Sequence, residues 1–250
     1  MLKIGLILVG HNCAEYFEEC LNPWLEAKKE FDIKICAVNC PFEGFPVDED
    51  DGSRDKLINL HKSGAINQLI MSEGPIKETE ARGAALKWLI EQGCEVSWQA
   101  DFDELITIEE IRKIVKFVEK EKFTTCFRLS LKNYVFNRKT FLAEPFTPMR
   151  IHRLVTNGYK AVGFYEDNNI IYNGIITRDR KPDIHFPCLT IPHVVAFITH
   201  LSWLSNLRSK KKCEYQRNRG WQNCSFIWDE KEDTLKFNPL MPEPKVIRED

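Results

Sequence analysis

The sequence lacks the features that mark a membrane protein, a nucleic-acid-binding protein or a zinc-binding domain. No apolar run approaches the ~20 residues needed to span a bilayer, and Leu2–Val9 leads into polar residues without the cleavage pattern of a signal peptide. The formal net charge is only −2, so we expect no general attraction to nucleic acid. The nine cysteines include no CxxC pair, and Cys36, Cys94 and Cys126 fall in strand-like runs. We therefore expect reduced core thiols in a cytoplasmic protein.

Apolar runs alternate with amphipathic segments through the first half of the chain. The runs that predict strands are Lys3–Val9, Ile33–Asn39, Ile66–Met71 and Cys94–Gln99. The segments with helical periodicity are Ala14–Glu30, Asp55–Lys62, Lys77–Gln92 and Glu109–Lys122, the last with Thr107 as its N-cap. This alternation predicts an α/β fold of the Rossmann type, with a mainly parallel sheet flanked by helices and ligands at the carboxyl ends of the strands.

Three acidic residues, Asp101, Asp103 and Glu104, follow the fourth predicted strand. A cluster of carboxylates is unfavourable unless positive charge lies among them. Oxygen ligands of this kind suit Mg²⁺ or Mn²⁺, which take phosphate oxygens and waters as their remaining ligands. The alternative is a loop whose acids stabilise the start of the following helix. On these residues alone, both interpretations stay open.

The periodicity changes after residue 123. Thr125–Tyr134 and Tyr159–Phe164 alternate as antiparallel strands do, and Trp203–Asn218 is a strongly basic helical block. The proline-containing tail from Asn238 is expected to be extended or disordered. No repeat or low-complexity linker separates the two halves. We therefore expect one domain over residues 1–237, made of an α/β half (1–123) and a mixed half (124–237), and a tail over residues 238–250.

With these segments in order, the chain resembles the GT-A glycosyltransferases, most closely the family 2 type, over roughly Lys3–Trp221. The residues that carry the resemblance are the first strand with Asn12 and its helix, Glu80–Ala85, Asp101–Glu104, Arg150–Arg153, Gly158–Gly163 with Glu166 and Asp167, and His200–Trp203. The resemblance implies a GT-A fold with a nucleotide-sugar-binding first half and an antiparallel, acceptor-side second half. It also implies metal-dependent transfer of a sugar from a nucleoside diphosphate, most commonly UDP, to a hydroxyl of a carbohydrate or other acceptor.

The resemblance further implies a role for each candidate residue. Asp103 and His200 would bind Mn²⁺ or Mg²⁺, while Asp101 would bind the ribose or act on the metal indirectly. The residues expected to contact the nucleotide sugar are Gly10, His11, Asn12, Asn39, Arg82, Asp101, Lys210 and Lys211, and Arg208 is a further candidate for phosphate. The catalytic base would be Glu166 or Asp167, with Glu166 preferred, in a single displacement with inversion.

One segment departs from the family pattern. The family places Asp-Asp-Gly-Ser directly after its second strand, whereas Asp50–Ser53 lies more than ten residues beyond Asn39. Either an inserted loop returns these residues to the site, or the match is ordinary turn chemistry. We favour the second interpretation, in which Asn39 takes over the contact to the base.

Other interpretations compete with that of a glycosyltransferase. His200 could be a core histidine, the basic helix a solvated face, and the acids at 166–167 the start of a turn; Trp98, Trp203 and Trp221 are better explained as core residues than as sugar-stacking ones. Asp-x-Asp also occurs in haloacid-dehalogenase-type phosphatases, where the first Asp is a nucleophile. A third candidate is a nucleotide-sugar-binding module without turnover.

Overall fold

The computed structural model describes residues 1–45, 49–143, 147–154, 160–167, 170–177, 188–218 and 225–249, with only the backbone for residues 160–167, 170–177 and 206. The strands in chain order are β1 (Ile4–Gly10), β2 (Ile33–Asn39), β3 (Gln68–Met71), β4 (Val96–Asp101), β5 (Glu104–Leu105), β6 (Cys126–Arg128), β7 (Leu131–Val135), β8 (Thr140–Leu142), β9 (Met149–Arg153), β10 (Lys160–Asp167), β11 (Ile170–Thr177), β12 (Cys188–Thr190), β13 (Ile198–Trp203), β14 (Phe226–Asp229), β15 (Thr234–Phe237) and β16 (Val246–Arg248). The helices are α1 (Phe17–Ala27), entered through a 3₁₀ turn at Ala14–Tyr16, α2 (Ser53–Lys62), α3 (Glu78–Glu91), α4 (Ile108–Lys120) and α5 (Asn206–Asn218).

The main sheet of the described residues has the strand order β12-β6-β9-β4-β1-β2-β3. The pairs β1–β2, β1–β4, β2–β3 and β6–β12 are parallel, while β9 runs antiparallel to β4 and β6. The predicted α/β class with a mainly parallel sheet and an antiparallel portion is therefore confirmed. Strands from both halves of the chain build this one sheet.

Helices cover both faces of the main sheet, which explains why β1 is apolar at successive positions. Leu6 and Leu8 pack on the side of α1, α2 and α4, whereas Ile7 and Val9 pack on the side of α3. The predicted helix after Thr107 begins with a capping box in which this side chain and Glu110 satisfy each other's backbone N–H groups.

A second sheet of the described residues has the order β16-β8-β7-β13-β5 and joins the site to the back half. The predicted single strand Thr125–Tyr134 is wrong, because β6 and β7 belong to different sheets. The tail is extended, and Val246–Arg248 pairs with β8. No helix in the described part of the chain combines the length and apolar character needed to cross a bilayer.

Candidate functional site

The acidic cluster lies where β4 ends, beside the end of β1. Val9 pairs with Asp101, so Gly10 is the next residue on the neighbouring strand. Phe102 is buried between the acids and stacks on Phe17 with ring centroids 5.4 Å apart. A Cβ at Gly10 would lie 2.8 Å from the Phe102 ring, so only glycine lets the two strand ends approach this closely. This packing fixes the turn that presents the acids.

Asp103 is 8% exposed and is surrounded by polar groups from β13 and α5. Ser202 donates a hydrogen bond to its Oδ2, Arg208 Nη2 lies 3.4 Å from the same oxygen, and His200 Nε2 lies 3.8 Å from Oδ1. Burial opposes ionisation, but His200, when it is protonated below about pH 4, and Arg208 hold the pKa of Asp103 well below its usual range. Asp103 is therefore a carboxylate at neutral pH.

His200 reaches the cluster because β13 pairs antiparallel with β5, which places it opposite Glu104. Its Nδ1 lies 2.5 Å from Asn133 Oδ1, an acceptor, so Nδ1 carries the proton and Nε2 has a free lone pair. Nε2 faces Asp103 and lies 2.8 Å from Ser202 Oγ, whose single hydroxyl proton can be donated to Nε2 or to Asp103 but not to both at once. Burial lowers the pKa of His200 to about 4 in spite of the nearby carboxylate, so the imidazole is neutral at pH 7.

A neutral imidazole lone pair and a carboxylate oxygen facing each other form a donor pair that suits Mn²⁺ or Mg²⁺. Ligands bound to one such ion at roughly 2.1 Å lie at most about 4.2 Å apart, a limit that the 3.8 Å between Nε2 and Oδ1 meets. The amide of Asn133 fixes the tautomer of His200 as the outer partners of metal-binding histidines do. Among the described residues, no group of three or more His, Cys, Asp or Glu is placed to hold a metal, so in that part of the chain Asp103 and His200 are the two candidate ligands.

Asp101 is bound by two guanidinium groups. Arg82 Nη2 lies 2.7 Å from its Oδ1 and Arg150 Nη2 lies 3.4 Å from its Oδ2. Arg82 is also paired with Glu78 at 2.7 Å, one turn earlier on α3. Burial opposes ionisation, but the two arginines hold the pKa of Asp101 below its usual range. Both oxygens of this carboxylate are thus already paired.

Glu104 is 1% exposed and forms an ion pair with Arg150. The backbone N–H of Asp101 donates to its Oε2 at 3.3 Å. Burial raises the pKa of Glu104 above its usual range, Arg150 opposes this shift, and the carboxylates of Asp101 and Asp103 add to it. Sequence reasoning placed Glu104 among the acids but gave no role to Arg150, which holds Asp101 and Glu104 together.

The basic helix α5 turns only part of its charge towards the acids. Arg208 contacts Asp103, and Lys212, one turn later, is held with its ammonium 4.8 Å from the Trp203 ring centroid. Burial lowers the pKa of Lys212 while Asp103 opposes that shift. Lys210 instead lies 3.5 Å from both Glu230 and Asp233.

Lys211 is partly buried on the same helix. The basic pattern predicted Lys210 and Lys211 as phosphate contacts and did not single out Lys212, which the structure places within electrostatic range of the acids. The i, i+4 spacing from Arg208 is the signal that could have identified it.

The expected nucleotide-binding residues meet at the ends of β1 and β2. His11 Nδ1 lies 3.4 Å from Asn39 Oδ1, and Asn39 Nδ2 donates to Ser53 Oγ at 3.4 Å. Asp51 Oδ2 accepts the backbone N–H of Ala14 at 2.8 Å, at the start of the first helical segment. The long loop thus carries Asp51 and Ser53 back to the strand ends. Asp50 and Asp51 also accept the backbone N–H groups of Gly52 and Ser53, which is the turn chemistry that the second interpretation expected.

Asn12 shows how tightly this corner is built. Its backbone has a φ of 50°, unusual for a residue other than glycine, and its side-chain amide donates to the carbonyl of Glu49 at 2.9 Å. The side-chain oxygen of Asn12, Oδ1, accepts the backbone N–H of Asp51 at 3.4 Å. These bonds tie the loop to the end of β1.

The two candidate bases, Glu166 and Asp167, are the last residues of β10, and their side chains lie outside the described residues, as does Trp221. Trp98 and Trp203 are buried, as the core interpretation predicted; the ring of Trp98 meets Trp24 edge-on with centroids 4.7 Å apart. The structure thus brings Asp101, Asp103, Arg82 and His200 together.

No protein-family model matches the chain, and no curated protein matches its sequence. Solved structures that it resembles include crystal structures of S. aureus TarS 1-349 in complex with UDP-GlcNAc (17% identity, TM-score 0.40) and in complex with UDP (17%, 0.43). The alignments cover 56% of this chain and 39% of that chain in the first case, and 61% and 47% in the second. A further structure of TarS 1-349 shares 15% identity at a TM-score of 0.47, over 87% of this chain and 64% of that chain. The likeness is one of general architecture, and this chain spans less than two thirds of each of these TarS chains.

Proposed function

We propose that the chain is a glycosyltransferase that moves a sugar from a nucleoside diphosphate donor to a hydroxyl of a carbohydrate or other acceptor. The observation that carries this proposal lies at the end of β4. The arginines that pair with the carboxylates there have N–H groups that no acceptor among the described residues satisfies. Nη1 of Arg82 and Nη1 of Arg208 are buried and have no hydrogen-bond partner among the described residues. A buried donor without an acceptor costs about 1–3 kcal/mol, and more when charged.

A diphosphate would supply the missing acceptors. Its oxygens can take charge-assisted hydrogen bonds from guanidinium groups, which favour planar, bidentate recognition. The ammonium of Lys212 adds a third cation on the same side of the cluster, where it lacks an ion-pair partner among the described residues. Charge that builds on the diphosphate as the sugar leaves would therefore be stabilised by groups already held in place.

Asp103 and His200 would hold a divalent cation. When bound there, Mn²⁺ or Mg²⁺ would neutralise charge on the diphosphate oxygens and help to orient them. Asn133 and Ser202 would keep the two ligands in position through the hydrogen bonds described above. Asp101, with both oxygens paired to arginines, would serve to fix those arginines or to accept a hydrogen bond from the ribose.

At the neighbouring ends of β1 and β2, His11, Asn39 and Asp51 would frame the nucleoside, which we take to be uridine, as the family resemblance implies. Glu166, or Asp167 beside it, would take the proton of the acceptor hydroxyl in a single displacement with inversion. The proposal for the base comes from the resemblance and from the position of both residues at the end of β10.

The phosphatase alternative requires the first Asp of the motif to attack as a nucleophile. In this chain Asp101 carries guanidinium groups on both oxygens, which lowers its nucleophilicity. The geometry therefore favours sugar transfer over phosphomonoester hydrolysis.

Donor binding is tested first, with UDP and Mn²⁺ in isothermal titration calorimetry. Lys212→Ala should weaken binding about tenfold or more, since a hydrogen bond to a charged group contributes about 1.5–3 kcal/mol. Lys210→Ala removes the same charge from the same helix at a position paired with Glu230 and Asp233. It is the matched control and should bind within about twofold of the unmodified protein. Equal effects of the two substitutions would contradict a phosphate site on the Lys212 side.

Turnover is tested by release of nucleoside diphosphate from UDP-sugars, with Mn²⁺ and with EDTA. Asp103→Ala should abolish the metal-dependent part of donor binding, and unchanged affinity for UDP with Mn²⁺ would refute that role. Glu166→Gln should leave binding intact and reduce transfer about 10²-fold or more. Near-normal turnover of Glu166→Gln with loss in Asp167→Asn would move the base to Asp167. Release of phosphate from simple monoesters would support the phosphatase, and binding without turnover would support a silent module.

A further inference from the structure

Two cysteines face each other at the edge of the main sheet, away from the acidic site. β12 pairs parallel with β6 so that Cys188 lies opposite Cys126. The two thiol groups are hydrogen-bonded to each other. Residues opposite each other on neighbouring strands project to the same face, so both side chains share one side of the sheet.

The spacing of the pair suits a disulfide. Neighbouring strands run about 4.8 Å apart, and a disulfide joins residues whose Cα atoms are about 4.4–6.8 Å apart. β12 is a three-residue strand at the sheet edge, so it has one neighbour to hold it and can adjust to the bond geometry. Closing the bond would therefore move the edge strand, which has a single neighbour, more than the strands inside the sheet.

The two thiols differ in exposure and in charge. Cys188 is exposed, whereas Cys126 is 3% exposed. The hydrogen bond from Cys126, together with one from the Arg128 side chain, lowers the pKa of Cys188 to about 6 although partial burial opposes this. The same bond raises the pKa of Cys126. Cys188 is therefore the accessible thiolate, and Cys126 is a buried thiol beside it. In such a pair the exposed cysteine reacts first, and the buried one then resolves the mixed disulfide.

A metal site is a poorer explanation of these two cysteines than a disulfide. His152 follows next across the sheet, opposite Cys126, and would complete a two-cysteine, one-histidine set. No such group of three ligands lies close enough to hold an ion among the described residues. The chemistry of the pair is therefore that of a dithiol.

We propose that Cys126 and Cys188 form a reactive dithiol that closes to an intrachain disulfide by exchange with a low-molecular-weight disulfide. The Cys188 thiolate attacks one sulfur of that reagent, forms a mixed disulfide and releases one thiolate. Cys126 loses its proton to solvent and attacks the Cys188 sulfur, which forms the protein disulfide and releases the second thiolate. The protein is oxidised by two electrons, and the reagent is reduced to two thiols. This inference is independent of the proposed sugar transfer.

The full chain is incubated with oxidised glutathione at pH 7, alkylated, and analysed by intact mass and non-reducing peptide mapping. The unmodified protein should lose two hydrogens and yield a linked Cys126–Cys188 peptide. Cys126→Ser should instead accumulate one glutathione on Cys188, and Cys188→Ser should form neither product. Cys36→Ser, which removes a fully buried thiol whose pKa burial raises to about 12, is the matched control and should give the linked peptide.

The peptide mapping of the unmodified protein tests the pairing even if a variant fails to fold. Circular dichroism checks that each variant is folded. A mixed disulfide on Cys188 that never closes in the unmodified protein would overturn the pairing. A linkage from Cys188 to another cysteine, such as Cys224, would overturn it as well. Absence of any reaction at Cys188 would overturn its role as the entering thiol.

Discussion

Lowering the pH from 7 to 5 should destabilise the folded chain through His152. This residue lies on β9 between β4 and β6, opposite Ser97 and Cys126, and is fully buried. Neither ring nitrogen has a hydrogen-bond partner among the described residues. Burial lowers the pKa of His152 from 6.5 to about 4, because the imidazolium would have to leave water without a partner.

The sign and size follow from this shift. Below pH 6.5 the unfolded chain binds a proton at this histidine that the folded chain does not bind until about pH 4. The stabilising contribution is therefore complete above pH 6.5 and is lost as the pH falls towards 4. Integration of the proton difference from pH 7 to pH 5 gives a loss of about 2 kcal/mol in the free energy of unfolding.

The assay is urea unfolding at pH 7 and pH 5, followed by circular dichroism, for three proteins. His152→Leu fills the site with an apolar side chain and should reduce the pH-dependent loss by about 2 kcal/mol. His61→Gln, at an exposed position of α2, is the control and should keep the full loss. His200, with its own lowered pKa, accounts for part of the loss that stays in His152→Leu. The same pH dependence in His152→Leu and in the unmodified protein would refute the reasoning.

Three further substitutions test the packing around the site by urea unfolding. Gly10→Ala places a Cβ 2.8 Å from the Phe102 ring and should lower the free energy of unfolding by about 1–3 kcal/mol. Gly83→Ala in α3, where a Cβ meets open space, should be neutral or stabilising, and equal effects of the two substitutions would contradict the close approach. Arg150→Met leaves the buried Glu104 carboxylate without its ion-pair partner and should lower the free energy of unfolding by about 3–5 kcal/mol. Adding Glu104→Gln should recover part of that loss, and no recovery would argue against the ion pair. Thr107→Ala should cost about 1 kcal/mol through the lost cap of α4, and an unchanged unfolding midpoint would exclude that cap.

The first half of the fold could be predicted because its strands are buried on both faces and its helices on one. Continuous apolar runs then indicate strands directly, as in Ile33–Asn39, which is strand β2 to the residue. The back half was harder. Thr125–Tyr134 alternates throughout, yet the chain changes sheets at Leu129 and Ser130, because alternation reports which face a residue occupies and not which strand it pairs with.

The candidate site shows the same division. The meeting of Asp103 and His200 was expected from the resemblance, whereas the choice among the cations of α5 was not. Basic residues occupy nearly every position from Arg208 to Lys212, so charge alone cannot indicate which side of the helix faces the acids. The return of Asp51 to the strand ends was equally hidden, because the path of a long loop depends on contacts such as that with Asn12.

The interleaving of β9 with β4 and β6 has a practical consequence for protein engineering. A fragment that stops at residue 123 would expose the backbone edge of β4, where Trp98 now pairs with Ile151. Such an unprotected edge is a template for self-association. Attempts to express residues 1–123 alone, or to exchange residues 124–237 between homologues at that boundary, should give aggregates. A circularly permuted or split version would need to keep Met149–Arg153 on the same piece as the front strands.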